Sequence, residues 1–209
     1  MPARPERTPT DPSLVREIDE SLRSCGALKS GHFLLSSGLH SDSYCQCAAL
    51  FERPRVAQRL ASIMAGMLDG RIEADTVLAP ALGGVLWGYQ LAQAMGLRSL
   101  FAERKTGEPF ELRRGFTLAP GERVLLAEDV ITTGKSVSEM VPIVEAAGAE
   151  VVAYAAVADR SKGAFAPGPP VVALVELDFA TYEANDVPAW LAAIPTEKPG
   201  SRAMSTESP

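Results

Sequence analysis

Apolar positions along the chain keep two different rhythms. Leu14, Ile18 and Leu22 recur every fourth residue behind Asp11-Pro12, which reads as an N-cap followed by a first-turn proline, and predict a helix ending near Gly26. Val56, Leu60, Ile63, Met64 and Met67 predict a second helix from Pro54 to Gly70. A third runs over 85–95 and stops at Gly96; a fourth runs over 137–147 and stops at Gly148. Between them lie short, continuous apolar runs at 76–79, through Leu100 and Phe101, and at 123–127, 151–158 and 171–177. The run RVLLA at 123–127 does not alternate, so both of its faces are covered, as in a central parallel strand. Strands alternating with helices across short turns predict an α/β fold: a parallel, doubly wound central sheet flanked by helices.

Two stretches stand outside that rhythm. Residues 32–36 and 43–48 read as short extended segments around a turn that begins at Ser37-Gly38, a small N-terminal lobe apart from the sheet. Residues 103–114 are polar and charged and predict a mobile loop before Phe116. Residues 1–10 are rich in Pro, Arg and Thr and read as unordered, and the tail from Pro195 onward reads as loose. The expected organisation is an N-terminal helix and lobe (1–50), an α/β core (51–182) and a C-terminal extension (183–209).

Composition narrows the function classes. With 20 Lys and Arg against 26 Asp and Glu, the net charge of −6 offers no basic footprint for nucleic acid. No apolar run approaches the roughly 20 residues of a membrane helix, and the N-terminus lacks the apolar core of a signal peptide, so a cytoplasmic protein without membrane contact is expected. The three cysteines, Cys25, Cys45 and Cys47, are too few and too irregular for a disulfide framework. With only His32 and His40 nearby they lack zinc-site spacing, so no protein-held metal is expected. The two histidines are assigned no role, and Trp87 and Tyr89 are expected to pack on the sheet.

Chemistry concentrates where strands end. In an open α/β sheet, ligands sit at the carboxyl ends of the strands, where helix N-termini collect anions. Two turns occupy such positions: PALGG at 80–84 and EDVITTGKS at 128–136. In the second, Thr132, Thr133 and Ser136 supply hydroxyls, and Gly134 lets the backbone turn its N–H groups inward. A phosphate is the natural guest. Glu128 and Asp129 would repel it unless they held something else, such as vicinal sugar hydroxyls or a divalent cation. The ending GKS suggests a nucleotide P-loop, but that motif needs a glycine five residues before Gly134, and Asp129 stands there. A ribose carrying a phosphate fits the pattern best.

VLLAEDVITTGKS resembles the phosphoribosyl-pyrophosphate (PRPP) signature of the type I phosphoribosyltransferases. GHFLLSSGLHSDSY at 31–44 is similar to the hood segment of the orotate branch of that family, F-x-L-x-S-G-x-x-S. FAERKTGEPFELRRGF at 101–116 resembles the branch's mobile loop, and Arg160 in VADRSKG falls where the branch has an arginine touching orotate. The resemblance implies the type I phosphoribosyltransferase fold with an N-terminal hood. It also implies transfer of the phosphoribosyl group of PRPP to orotate, giving orotidine 5′-monophosphate and pyrophosphate.

By the same resemblance, Glu128 and Asp129 face the ribose hydroxyls, and Val130, Ile131, Thr132, Thr133, Gly134, Lys135 and Ser136 hold the 5′-phosphate. Thr132 and Arg160 contact orotate, and PALGG approaches the pyrophosphate. Arg104 and Lys105 reach PRPP, and the catalytic set is Arg104, Lys105 and Asp129. Mg²⁺ is expected as a cofactor held mainly through PRPP, and a homodimer shares loop 103–114 between subunits. Relatives carry lysines where this chain has Ser36 and Gly83, and Arg113 or Arg114 is a candidate replacement. The competing readings are a purine phosphoribosyltransferase and a PRPP- or nucleotide-binding regulator on the same fold.

Overall fold

The computed structural model describes residues 7–35 and 37–199. Helix α1 spans Pro12–Ser24, and the Asp11 carboxylate accepts the Ser13 amide as the sequence predicts. Strands β1 (Leu28–Leu34) and β2 (His40–Cys45) form the expected hairpin, although both begin a few residues before their predicted starts. Ser36, at the hairpin's predicted edge, lies outside the described residues. Helix α2 (Pro54–Leu68), strand β3 (Thr76–Pro80), helix α3 (Gly83–Met95) and strand β4 (Arg98–Glu103) follow, close to their predicted bounds. A two-residue strand β5 (Glu111–Leu112) returns antiparallel to β4 and closes the polar loop.

Strand β6 is longer than the apolar run that predicted it. It covers Arg123–Ile131, so Glu128 and Asp129 belong to the strand and not to the turn after it. Pairing with the equally long β7 (Glu150–Asp159) carries the strand through the acidic pair, with Glu128 opposite Ala156 and Ile131 opposite Asp159. The single helix expected over 137–147 is instead two short ones, α4 (Lys135–Ser138) and α5 (Val141–Ala146). Pro142 explains the break: it has no N–H to donate to the Ser138 carbonyl, and its ring would collide with it. Strand β8 (Val171–Glu176) completes a six-stranded sheet of order β5-β4-β3-β6-β7-β8, parallel except for β5.

Both faces of this sheet are covered, which is why RVLLA is continuously apolar. Leu125 and Ala127 pack with α1, α2 and α3 on one face; Val124 and Leu126 pack with α4 and α5 on the other. Trp87 is fully buried and donates its Nε1–H to Ala155 O at 3.3 Å, but Tyr89 is exposed rather than packed on the sheet. At the amino ends of the strands, the buried Glu122 carboxylate accepts from the Thr76 hydroxyl, the Ala119 amide and Arg98. Desolvation alone would raise its pKa, but these partners together outweigh burial and lower it.

The tail is less loose than expected. Thr196–Glu197 (β10) pairs parallel with β1, Thr181–Tyr182 (β9) pairs with β2, and helix α6 (Ala189–Ala192) lies between them. The hood is therefore a four-stranded sheet, β10-β1-β2-β9, built from both ends of the described chain. The histidines have a structural place in it. His32 Nε2 lies 2.6 Å from His40 Nδ1, and His32 Nδ1 lies 3.1 Å from Ile194 O, joining the hairpin to the C-terminal segment. Cys45 ends β2 and Cys47 begins the following 3₁₀ turn (Cys47–Glu52). Their sulfurs are 3.6 Å apart without a disulfide, and only Cys45 of the two belongs to the strand.

Candidate active site

Helix α3 packs on one face of the sheet and α4 on the other, so the winding reverses between β3 and β6. Such a switch point opens a crevice at the carboxyl ends of its two strands. The pairing shows where it opens. Strands β3 and β6 are in register only as far as Leu78 opposite Leu126; beyond that β3 runs on against β4, with Pro80 opposite Ala102, and parts from β6. The Ala81–Leu82 peptide in the PALGG turn is cis. Glu128 and Asp129 sit against the parting strands, under the start of α3. A methyl group at Gly83 would lie 3.1 Å from Asp129 Oδ1. One at Gly84 would lie 3.2 Å from Glu128 Oε1 and 2.8 Å from the Pro80 ring, so only glycine fits at 84.

The two carboxylates are not equivalent. Asp129 Oδ1 accepts the Val130 amide at 2.8 Å, and no cation pairs with it among the described residues. Glu128 is buried, and its Oε1 accepts the Asp129 amide at 3.2 Å. Desolvation first, and then the neighbouring Asp129 charge, push the Glu128 carboxyl up to about 9. At neutral pH the free protein thus holds a proton on this pair.

Past the acidic pair, Glu128 and residues 130–137 line a small cavity of about 40 Å³. Gly134 adopts φ 72°, the left-handed conformation the sequence requires of it, and the Lys135 amide donates to Thr133 Oγ1 at 3.3 Å. One expectation changes here. Helix α4 is a single turn of four residues, so it brings little macrodipole, and the cradle rests on the turn's own amides and hydroxyls. Wider grooves of about 500 and 400 Å³ lie elsewhere. The larger is lined by Asp69, Glu73 and Arg123, but Arg123 is already committed to Asp75 and Glu73.

Arg160 follows the end of β7 and donates its backbone amide to Ile131 O at 2.7 Å, which brings it next to the cradle. Its guanidinium lies 4.9 Å from the centroid of the Phe179 ring and pairs with no carboxylate among the described residues. Its charge acts on Tyr44 and Cys45 of the hood, and the Asp129 charge also reaches Cys45, so hood strand β2 lies within electrostatic reach of this side of the crevice. The residues of the polar loop are otherwise engaged. Arg104 pairs with Glu139 at the end of α4 and lies 4.3 Å over the Phe110 ring, while Lys105 is 3.9 Å from Glu108. Arg114 pairs with Glu103 and Arg113 with Glu111, so both candidate replacements for the absent lysines have partners inside their own loop.

Sequence reading missed Glu139, Phe179 and Phe165, the last of which packs on Gly134. None of these carries a local motif, and each matters only through its approach to a distant segment.

Comparison with known proteins agrees with this geometry. The phosphoribosyl transferase domain family matches residues 46–192. The orotate phosphoribosyltransferase of Novosphingobium aromaticivorans is 49% identical over 192 residues, 91% of this chain and 98% of the relative. That of Thermotoga maritima is 45% identical over 187 residues, 90% and 99% of the two chains. Among solved structures, the orotate phosphoribosyltransferase of Mycobacterium tuberculosis in complex with inorganic phosphate aligns with a TM-score of 0.63 at 25% identity, over 79% of this chain and 96% of that one. An adenine phosphoribosyltransferase from Trypanosoma brucei aligns with a TM-score of 0.59 at 18% identity, over 80% and 81%, and shows the fold alone.

The doubly wound sheet with its acidic strand end and Thr-Thr-Gly turn defines a phosphoribosyltransferase of type I. Fold does not choose the base, since orotate and adenine enzymes share it, but the sequence relatives do. The chain belongs to the orotate phosphoribosyltransferase family.

Proposed function

We propose that the crevice between β3 and β6 is where this chain transfers the phosphoribosyl group of PRPP to orotate, giving orotidine 5′-monophosphate and pyrophosphate for pyrimidine biosynthesis. The observation that carries the assignment is Arg160: a guanidinium without a carboxylate partner among the described residues, held on an aromatic face beside the phosphate cradle. Orotate brings the carboxylate this group lacks, and a guanidinium meets a carboxylate in a two-pronged hydrogen bond. A neutral purine brings none. Residues 130–136 then hold the 5′-phosphate, Thr132 adds a hydroxyl toward the base, and Glu128 and Asp129 accept the ribose hydroxyls.

The reaction builds positive charge on the ribose ring and negative charge on departing pyrophosphate, so this chain works by positioning and electrostatics. Asp129, without a cation partner among the described residues, stabilises the cationic ring. Arg104 and Lys105 supply positive charge to the leaving group, and Arg104 must first give up Glu139 to do so. Mg²⁺ fits the donors beside the phosphate cradle, because the carboxylates of Glu128 and Asp129 and the hydroxyls of Thr132, Thr133 and Ser136 are hard oxygen groups. The ion would be held mainly through PRPP, and Asp129 is the carboxylate of this chain that would assist it. When bound, it shares the charge of the pyrophosphate.

The test is turnover with PRPP and Mg²⁺ while orotate, uracil, hypoxanthine, xanthine and adenine are offered in turn. Orotate-dependent pyrophosphate release is expected. Turnover with a purine alone would overturn the assignment, and tight nucleotide binding without turnover would favour a regulator.

The working unit in this reading is a cytoplasmic homodimer that shares loop 103–114. Leu82, Leu86 and Tyr89, spaced four and three residues apart, give the start of α3 an exposed apolar stripe that supports it. Leu86→Asp should convert the dimer to a monomer of 22.2 kDa in light scattering and lower activity with it. A wild-type protein that is already monomeric at micromolar concentration would sink this part.

A further inference from the structure

Gly134 is the hinge of the phosphate turn, and something must hold it. Glycine has the widest conformational freedom of any residue, so a cradle built on it would lose order whenever the ligand left. Here the face of Gly134 is closed by the ring of Phe165. A methyl group on Gly134 would fall 2.0 Å from Phe165 Cδ2 and 2.3 Å from Cε2, so the ring sits directly over the glycine Cα. Phe165 is itself buried and packs edge-on to Tyr154, with ring centroids 5.2 Å apart.

The segment that carries Phe165 is also anchored. It leaves β7 at Asp159, a carboxylate only 2% exposed that accepts from Arg7 at 2.5 Å and from the Ser161 amide at 2.8 Å. The Ala164 amide then donates to Ser161 O at 2.9 Å, and Lys162 pairs with Asp178. The same short segment begins with Arg160. One anchored turn thus presents a guanidinium to the base side of the crevice and an aromatic ring to the back of the phosphate turn.

We propose that Phe165 is a positioning residue for the ribose 5′-phosphate: its ring holds Gly134 in the left-handed conformation, so that the cradle is formed before the ligand arrives. This rests on the reading of residues 130–136 as the 5′-phosphate site. Pre-forming a loop improves affinity by removing an ordering cost from the binding step. The effect should fall on ligands that carry the 5′-phosphate and spare those that do not.

The experiment is calorimetric binding of ribose 5-phosphate and, separately, of pyrophosphate with Mg²⁺, to the full-length wild type, Phe165→Ala and Phe165→Leu, each shown to be folded by circular dichroism. Phe165→Ala should weaken ribose 5-phosphate about tenfold and leave pyrophosphate within about twofold. Phe165→Leu, which refills part of the space but lacks the flat ring face, should weaken ribose 5-phosphate by a smaller factor, about threefold. In steady-state kinetics, KM for PRPP should rise more than KM for orotate. If Phe165→Ala does not fold, the Leu variant carries the test: a weakening confined to ribose 5-phosphate supports the proposal, and none overturns it. Equal weakening of both ligands would mean that Phe165 only supports the fold, and would overturn it as well. A wild type that binds no ribose 5-phosphate would remove the cradle reading and this inference together. Normal wild-type binding with unchanged variants would remove the inference alone.

Discussion

Glu128→Gln should melt several degrees higher than the wild type at pH 7.5 when no ligand is bound, and should at the same time lose roughly 10- to 100-fold in kcat/KM for PRPP. Both halves come from one fact: Glu128 is buried beside Asp129, and its carboxyl is pushed up to about 9 from a starting value of 4.5. A carboxyl whose folded pKa lies above its unfolded one contributes its full stability below the unfolded value, and that stability is lost as pH rises toward the folded value. Between pH 4.5 and 9 the unfolded chain gives up the proton while the folded chain keeps it. At pH 7 this costs about 3 kcal/mol, taking 1.36 kcal/mol per unit of pH above 4.5. Glutamine is neutral in both states and removes the slope.

The gain in melting temperature should therefore be large at pH 7.5 and nearly gone at pH 4, where the wild-type carboxyl is largely protonated in both states. A constant difference across that range would contradict the buried, protonated acid. The loss of activity has the same origin. A carboxyl can release its proton and become a charged acceptor for ribose hydroxyls; an amide cannot. Stability withheld from the empty site is the usual accompaniment of a binding carboxylate kept out of water.

Much of this arrangement is legible in the sequence, because the informative features are local. Apolar runs bounded by glycine and proline mark β3, β6, β7 and β8 close to their observed positions, and the Gly134 turn follows from its residues alone. The misses share a physical cause. Glu128 and Asp129 belong to a strand because β7 pairs with them across a separation that periodicity cannot register. Thr196–Glu197 is ordered by β1, more than 160 residues earlier in the chain. Phe165 sits on Gly134, and Arg104 on Glu139, across 31 and 35 residues of sequence. The break at Pro142 is different: the proline is plain in the sequence, but the apolar rhythm over 137–147 masks the consequence of its missing N–H. Function is easier to read than fold detail because ligand chemistry constrains residue types at short range, and packing does so at long range.

Arg160→Ala should abolish most of the chain's preference for orotate over uracil, and this is the sharpest test of which base the crevice accepts. The two pyrimidines differ by one carboxylate. A site whose charged donor awaits that group rejects the analogue lacking it, because the donor is then left unpaired in a partly dry crevice. In the wild type, Arg160 rests on Phe179 with no carboxylate among the described residues to occupy it, so the full charge is available to the ligand. Removing it should lower kcat/KM for orotate by roughly 100- to 1000-fold, the range for truncating one partner of a desolvated charge pair, and change uracil turnover little. PRPP affinity should stay within about twofold, since residues 130–136 hold the phosphate independently of the arginine side chain. Arg160→Lys should recover only part of the loss, because an ammonium is a point charge and cannot match both carboxylate oxygens at once. Folding should be nearly unaffected, because the guanidinium's stacking on Phe179 is a partly exposed cation–π interaction worth about 1 kcal/mol. If orotate and uracil lose turnover in equal proportion, Arg160 is not the group that reads the carboxylate. The discriminating charge must then come from the loop that carries Arg104 and Lys105.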